Sequence, residues 1–532
     1  MLENPYRSSR SCVVARNGVV ASSQPLAVQA GMEMLRRGGN AVDAAVATAV
    51  ALTVVEPTSN GIGSDAFALV WDGKKLFGLN GSGRAPAELT IDLVRRIGHA
   101  TIPARGWLPV TVPGAPAAWK DLHSRFGKLS FSQLFEPAIE YAQHGYPLSP
   151  ILAAGWAHSI SIFASLMSAE YRGWMETFAP HGKPLRVGAI WKSPSHAYTL
   201  QRIAESGADD FYRGEIAEMI ALFTKETGGY LTQQDLATHA STWVEPISTN
   251  YRGYDVWEIP PNGQGITALI ALNLLEGFDF SEFRRDSVRS FHLQIEALKL
   301  AFTDARRYVA DPDFAPVPTS ALLDKTYASQ RRALINEHAF EPTPGDPNSG
   351  GTVLLCTADR DGMMVSFIQS NYMGFGSGVV VPGTGISLQN RGHGFSLDPK
   401  HPNALQPRKR PYHTIIPGFL SKDGEAIGPF GVMGGYMQPQ GHVQMVVNTV
   451  DYGMNPQASL DAPRWQWIQG REIQIESDAD PAIIEGLRAK GHEVRIAAPT
   501  GAFGRGQIIW KLDTGAYMAG SDKRADGYAA GC

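Results

Sequence analysis

Eleven residues, Glu341-Pro342-Thr343-Pro344-Gly345-Asp346-Pro347-Asn348-Ser349-Gly350-Gly351, constrain the fold of this chain more than any other stretch. Three prolines lack the N–H that a helix or a central strand needs, and three glycines favour turns, so the segment is a break. Before it, helical patterns alternate with short strands. Leu134–Ala142 and Asp286–Val309 read as helices, and the second carries Val288, Phe291, Ile295, Leu298 and Phe302 on one face. After it, two apolar runs, Thr352–Ala358 and Met363–Ser370, flank Asp361-Gly362, which is a hairpin signal. With Asp361-Gly362 as the turn pair, Thr352 lies opposite position 371 and Ser370 is one residue away. A threonine therefore heads a strand directly after a break, with a second hydroxyl close by.

Composition narrows the class. A length of 532 residues suggests about three folding units. With 43% hydrophobic and 18% charged residues there is material for a large core. Lys+Arg at 47 against Asp+Glu at 51 leaves no basic field for nucleic acid. Three cysteines, Cys12, Cys356 and Cys532, form no C-x-x-C pair, so a disulfide framework is not expected. The first residues show no basic segment followed by an apolar one, and the expected location is cytoplasmic. The apolar run Ala41–Val55, interrupted by Asp43, falls short of the ~18 residues of a membrane span and reads as a buried helix.

A threonine hydroxyl becomes a useful nucleophile only beside a base. If the chain is cut before Thr352, the new α-amine supplies that base, with an ordinary pKa of roughly 7.7–8.0. Gly351-Thr352 suits such a cut, although a β-branched residue also begins many strands for no further reason. Gly434-Gly435, followed by a helical pattern over Gly441–Asp451, offers backbone N–H groups at the positive end of a helix, as an oxyanion site would. An ordinary turn gives the same pattern. Gly374-Phe375-Gly376-Ser377-Gly378 precedes Val379-Val380-Val381 rather than a helix, so no dinucleotide site is expected. His393, His401 and His413 lack metal-ligand spacing, and Asp311 with Asp313 reads as a turn.

Several motifs in order resemble the gamma-glutamyltranspeptidase family of N-terminal-nucleophile hydrolases. They are GGNAVDAAVATAVALTVVEPTSNGIGSDAFALV (Gly38–Val70), VTVPGAPAAW (Val110–Trp119), GGYLTQQDL (Gly228–Leu236), IPPNGQG (Ile259–Gly265), EALKLAFTDARRYVADPDF (Glu296–Phe314), KRP (Lys409–Pro411), Gly434-Gly435 and GSDKRADGYAAG near the C-terminus. The resemblance implies an α+β fold, a four-layer αββα sandwich. It also implies a precursor cut between Gly351 and Thr352 into a large subunit, 1–351, and a small one, 352–532. Thr352 would be the nucleophile for both the cut and catalysis, Ser370 its hydrogen-bonded partner, and Gly434 and Gly435 the oxyanion donors. No metal or cofactor is implied, and the partner is a small-molecule amide. Assembly into homo-oligomers is left open.

The substrate pocket departs from the glutamyl-specific pattern. Ser82 stands where those members place an arginine on the substrate carboxylate, and Arg84, two residues on, is expected to add to the positive charge of the pocket. Tyr372 replaces an asparagine, Arg391 a glutamine and Gly394 an aspartate. His413-Thr414 replaces a Ser-Ser pair, and the lid before KRP is reduced to His401–Arg408. Gaining Arg391 while losing an aspartate turns a site for an ammonium group into one for an anion. The phrases around LNGSGRAP and GFGSGVVVPGTGISLQNRG resemble the oxamate amidohydrolase branch most, and cephalosporin-acylase-like members share the short lid. Gamma-glutamyl hydrolysis or transfer, as in glutathione breakdown, and a non-catalytic binding protein that is never cut are the alternatives.

Overall fold

The computed structural model describes residues 10–180, 182–342, 351–498 and 501–532, so most of the Pro/Gly-rich break lies outside it. Helix α1 (Pro25–Arg36) is followed by α2 (Ala41–Val55), the alanine-rich run, all of it buried. Small side chains let the two helices approach closely: a Cβ on Gly31 would meet the Thr48 hydroxyl at 2.3 Å. Asn40 caps α2 by accepting from Val42 N and Asp43 N, and the Asp43 carboxylate returns to Asn40 N at 3.0 Å. That buried carboxylate also takes Lys128 N and Leu129 N. Asp43→Ala strands several donors at once and is expected to lower stability by about 2–3 kcal/mol, read from a urea unfolding midpoint.

Two seven-stranded antiparallel sheets form the centre. Their strands are β1 (Val13–Ala15), β2 (Gly18–Ser22), β3 (Asp65–Trp71), β4 (Leu76–Gly81), β5 (Thr242–Val244), β6 (Ile247–Tyr251), β7 (Tyr254–Glu258), β8 (Gly351–Asp359), β9 (Met364–Tyr372), β10 (Gly418–Lys422), β11 (Glu425–Met433), β12 (Arg505–Lys511), β13 (Tyr517–Ser521) and β14 (Tyr528–Gly531). One sheet runs β14-β2-β8-β9-β3-β4-β5 and the other β1-β13-β12-β11-β10-β7-β6. Phe67, Leu69, Leu354, Ile368, Phe419 and Ile509 fill the space between them. Helices α1 and α2 cover the first sheet. Helices α3 (Gly265–Leu275), α4 (Val288–Tyr308) and α5 (Met437–Val450) cover the second. This is the expected α+β sandwich of four layers. Each sheet takes strands from both sides of the break, so the break does not separate independent folding units. Among the described residues no helix is long and apolar enough to cross a membrane.

The hairpin register differs from expectation by one residue. Asp359 N donates to Met363 O at 3.0 Å, making the loop three residues long, with Gly362 at φ +89°. The Asp359 carboxylate stabilises it by accepting from Asp361 N and Met363 N. A three-residue loop closed by a left-handed glycine is the next common solution after the two-residue turn. Val353 therefore pairs with Gln369, while Gly351 pairs with Tyr372. A bulge lies between these pairs, so Ser370 and Asn371 together face the single Thr352.

Candidate active site

Thr352 sits at the buried head of β8, and its hydroxyl donates to Ser370 Oγ at 3.1 Å. Tyr372 holds Ser370 from the other side: at φ +76°, in the left-handed region, its backbone N–H turns back onto Ser370 Oγ at 2.7 Å. A third donor is Arg391, whose Nη2 reaches the same oxygen at 3.2 Å. Gln438, on α5, places Nε2 at 3.5 Å from Thr352 Oγ1 and is itself held by Ile416 N on its Oε1.

Arg391 leads a short 3-10 turn, Arg391–Gly394, and its guanidinium is only 1% exposed. Its Nη1 donates to Thr414 Oγ1, its face lies 4.2 Å from the Tyr372 ring centre, and among the described residues Nε has no partner. Among the described residues it forms no ion pair. Burial pulls its pKa down to about 10, with Tyr372 and Asp65 opposing, so it stays a cation at neutral pH. A buried cation bonded only to neutral hydroxyls leaves a charge for something else to meet.

The glycine pair stands where β11 gives way to α5. Gly434 (φ +132°) and Gly435 (φ +60°) adopt backbone that other residues avoid. Their carbonyls accept from Met437 N and Gln438 N, starting the helix, while among the described residues their own N–H groups donate to no acceptor. Gln264 ties the pair to the neighbouring loop, donating to Gly435 O at 2.9 Å and to Thr414 O at 2.6 Å. Gln264 stands within the IPPNGQG motif but has no role assigned by it, and Gln438 is marked by no motif or spacing in the sequence.

The remaining expected pocket residues divide. His413 is fully buried, with Nε2 3.0 Å from Asp65 Oδ2, and burial holds it neutral by pushing its pKa far down. Ser82 is also buried, but its hydroxyl donates to Asn80 Oδ1 and accepts from Asn262 Nδ2, so it serves the end of β4. Arg84 is corrected as a contributor to the charge beside Thr352. Its guanidinium pairs with Asp311 at 3.3 Å and Asp313 at 3.0 Å, lining a separate cavity of about 320 Å³ with Arg408 and Phe314. The Asp311–Asp313 turn is thus also an anchor. His393 Nδ1 donates to Ile102 O at 2.6 Å, and its ring lies beside that of Tyr372.

One cluster has no counterpart in the sequence reading. His292, Glu296 and His492 place three possible ligand atoms within 4.8 Å of one another. Lys299 Nζ lies 2.6 Å from Glu296 Oε1, and His292 Nδ1 lies 2.8 Å from His492 Nε2. An ammonium group on the carboxylate neutralises it without a metal.

Comparison with known proteins follows the same lines. The family model described as Gamma-glutamyltranspeptidase matches residues 27–532. The "Glutathione hydrolase-like YwrD proenzyme" of Bacillus subtilis is 38% identical over 98% of this chain and 99% of its own length. The "Oxamate amidohydrolase proenzyme" of Klebsiella pneumoniae is 33% identical over 97% of this chain and 99% of its own. The solved structure of a cephalosporin acylase from Bacillus halodurans superposes with a TM-score of 0.96 at 56% identity, covering 100% of this chain and 98% of that one. A match of this extent, on the two-sheet sandwich described above, means that the chain belongs to the gamma-glutamyltranspeptidase family of N-terminal-nucleophile hydrolases and is an enzyme of that kind.

Proposed function

We propose that this protein cuts itself between Gly351 and Thr352 and then hydrolyses a small amide whose acyl group carries a carboxylate, oxamate being the simplest example. In the cut, Thr352 Oγ attacks the Gly351 carbonyl carbon and the Gly351–Thr352 C–N bond breaks. The resulting ester is hydrolysed by water, leaving a Gly351 carboxylate and a free Thr352 amine. In turnover that amine takes the proton from Oγ, which attacks the substrate carbonyl. The N–H groups of Gly434 and Gly435 receive the oxyanion. The leaving amine departs with the proton, and water releases the acid from Thr352. Ser370 orients the hydroxyl throughout.

The observation that carries the substrate class is the position of Arg391. Its guanidinium, which has no carboxylate in an ion pair among the described residues, is two hydrogen bonds from Thr352 Oγ1, through Ser370. A carboxylate bound there sits close to the scissile carbonyl, which favours a short acyl group. Tyr372 closes one wall.

The test compares hydrolysis of oxamate, a neutral amide of similar size and a chromogenic gamma-glutamyl amide, in wild type, Arg391→Lys and Arg391→Ala. Oxamate should be preferred, and Arg391→Ala should lower its kcat/KM by about 30-fold or more while affecting the neutral amide far less. The lysine variant should fall between. A clear preference for the gamma-glutamyl amide that Arg391→Ala leaves unchanged would refute the reading. A second reading, acylase action on a cephalosporin, is favoured by the 56% identity to the Bacillus halodurans enzyme along the whole chain. A cephalosporin belongs in the same assay.

A further inference from the structure

Asp65 begins β3 and pairs across the sheet with Ser370. Its buried carboxylate accepts from Gly83 N at 3.0 Å on one oxygen and meets His413 Nε2 at 3.0 Å on the other. His413 precedes Thr414, which receives Arg391 Nη1, and Arg391 Nη2 returns to Ser370. These contacts close a ring: Asp65, His413, Thr414, Arg391, Ser370 and back to Asp65. Asp65 is the carboxylate within the ring, and it reaches Arg391 through space without bonding to it.

We propose that Asp65 tunes specificity, its charge setting how strongly Arg391 attracts a substrate anion relative to a neutral amide. The proposal rests on the Arg391 reading above. It makes Asp65 a positioning residue, because it touches neither substrate nor Thr352. A bound carboxylate and an ionised Asp65 compete for one cation in a water-poor interior, where such coupling is strong. By linkage, whatever protonates Asp65 tightens anion binding, and a bound anion favours protonated Asp65 by the same factor.

The groups facing Asp65 are Arg391 and Arg410, which favour its charged form, with neutral His413 and the phenol of Tyr212. Burial outweighs them and pushes the Asp65 pKa up to about 7. Its charge therefore changes within the working range of the enzyme. Arg391, buried beside Tyr372 and Tyr436, remains charged through that range.

The experiment measures kcat/KM for oxamate and for a neutral amide of similar size from about pH 6 to 8.5, in wild type and Asp65→Asn. Taking their ratio cancels the titration of the Thr352 amine, which acts on both substrates. In wild type the ratio should fall on the order of fivefold or more as pH rises through about 7. In Asp65→Asn it should be flat and at least as high as the acid limit of wild type. A flat wild-type ratio, or an equal slope in Asp65→Asn, overturns the proposal, and the wild-type arm decides even if the variant fails to fold. A preference for oxamate that Arg391→Ala abolishes but pH and Asp65→Asn leave alone sinks only the role of Asp65. No preference at any pH, with Arg391→Ala silent, sinks the anion site itself.

Discussion

Thr352→Ala is expected to purify as one uncut chain, where wild type yields two fragments, the smaller running from Thr352 to Cys532. Alanine removes the oxygen that attacks Gly351 and the one that attacks substrate, so amidase activity should fall by about 10⁴ or more. Thr352→Ser keeps a hydroxyl within reach of Ser370 and should still cut. Intact mass spectrometry reads both outcomes. A wild-type chain that stays whole on incubation would leave no free amine to act as base. The protein would then be better described as a family member that binds a ligand without catalysis.

The second large effect concerns a buried charge network beneath the glycine pair. Asp522 meets Arg464 at 2.6 Å and Arg524 at 3.2 Å, and Arg524 also pairs with Glu476, all with fully buried side chains. Burial alone would raise the pKa of Asp522, but Arg464 and Arg524 overcome it and hold the carboxyl below its ordinary value. Asp522→Ala leaves two guanidinium groups short of a counter-charge and should cost about 3–5 kcal/mol, a large share of a typical folding free energy. Because the folded pKa is depressed, the contribution is present above the unfolded value near 3.9 and lost as pH falls through the lower folded one. Arg464 also donates to Phe503 O and Gly504 O, and Gly504 packs directly under Gly434. The variant should therefore lose activity along with stability. Thermal and urea unfolding in an uncut Thr352→Ala background keeps the comparison to one chain, and a loss under about 1 kcal/mol would contradict the account.

Local features of the fold could be read from the sequence because their causes are local. A run of small apolar residues from Ala41 to Val55, capped by Asn40, can only be buried as a helix. Two apolar segments around Asp361-Gly362 had to form a hairpin. Its register differs by one from the turn-pair rule because the Asp359 side chain supports a longer loop. In the candidate site, Thr352, Ser370, Arg391 and the glycine pair were placed with the help of the resemblance. Gln264 and Asp65 fall inside motifs that carry the resemblance but give them no role, and Gln438 falls in none; each meets its partner across a sequence separation that carries no periodic signal. Arg84 is near Ser82 in sequence, while the carboxylates that hold it lie more than two hundred residues away. His292 and His492 likewise meet across 200 residues, with no local pattern joining them.

The order of strands in the first sheet has a consequence for the life of the molecule. Strand β8, which begins at the proposed cut, lies between β2 from before the break and β9 from after it, and both sheets mix the two halves in this way. Once nicked, the halves cannot part without dismantling both sheets. They also cannot find each other again as a single chain would, because the covalent tether that kept their strands at high local concentration has gone. Folding and maturation would then be a one-way sequence: after dilution from urea the uncut form is expected to regain its fold, and the cut form to regain far less of it. Its working lifetime is set by the rate at which it first unfolds rather than by an equilibrium.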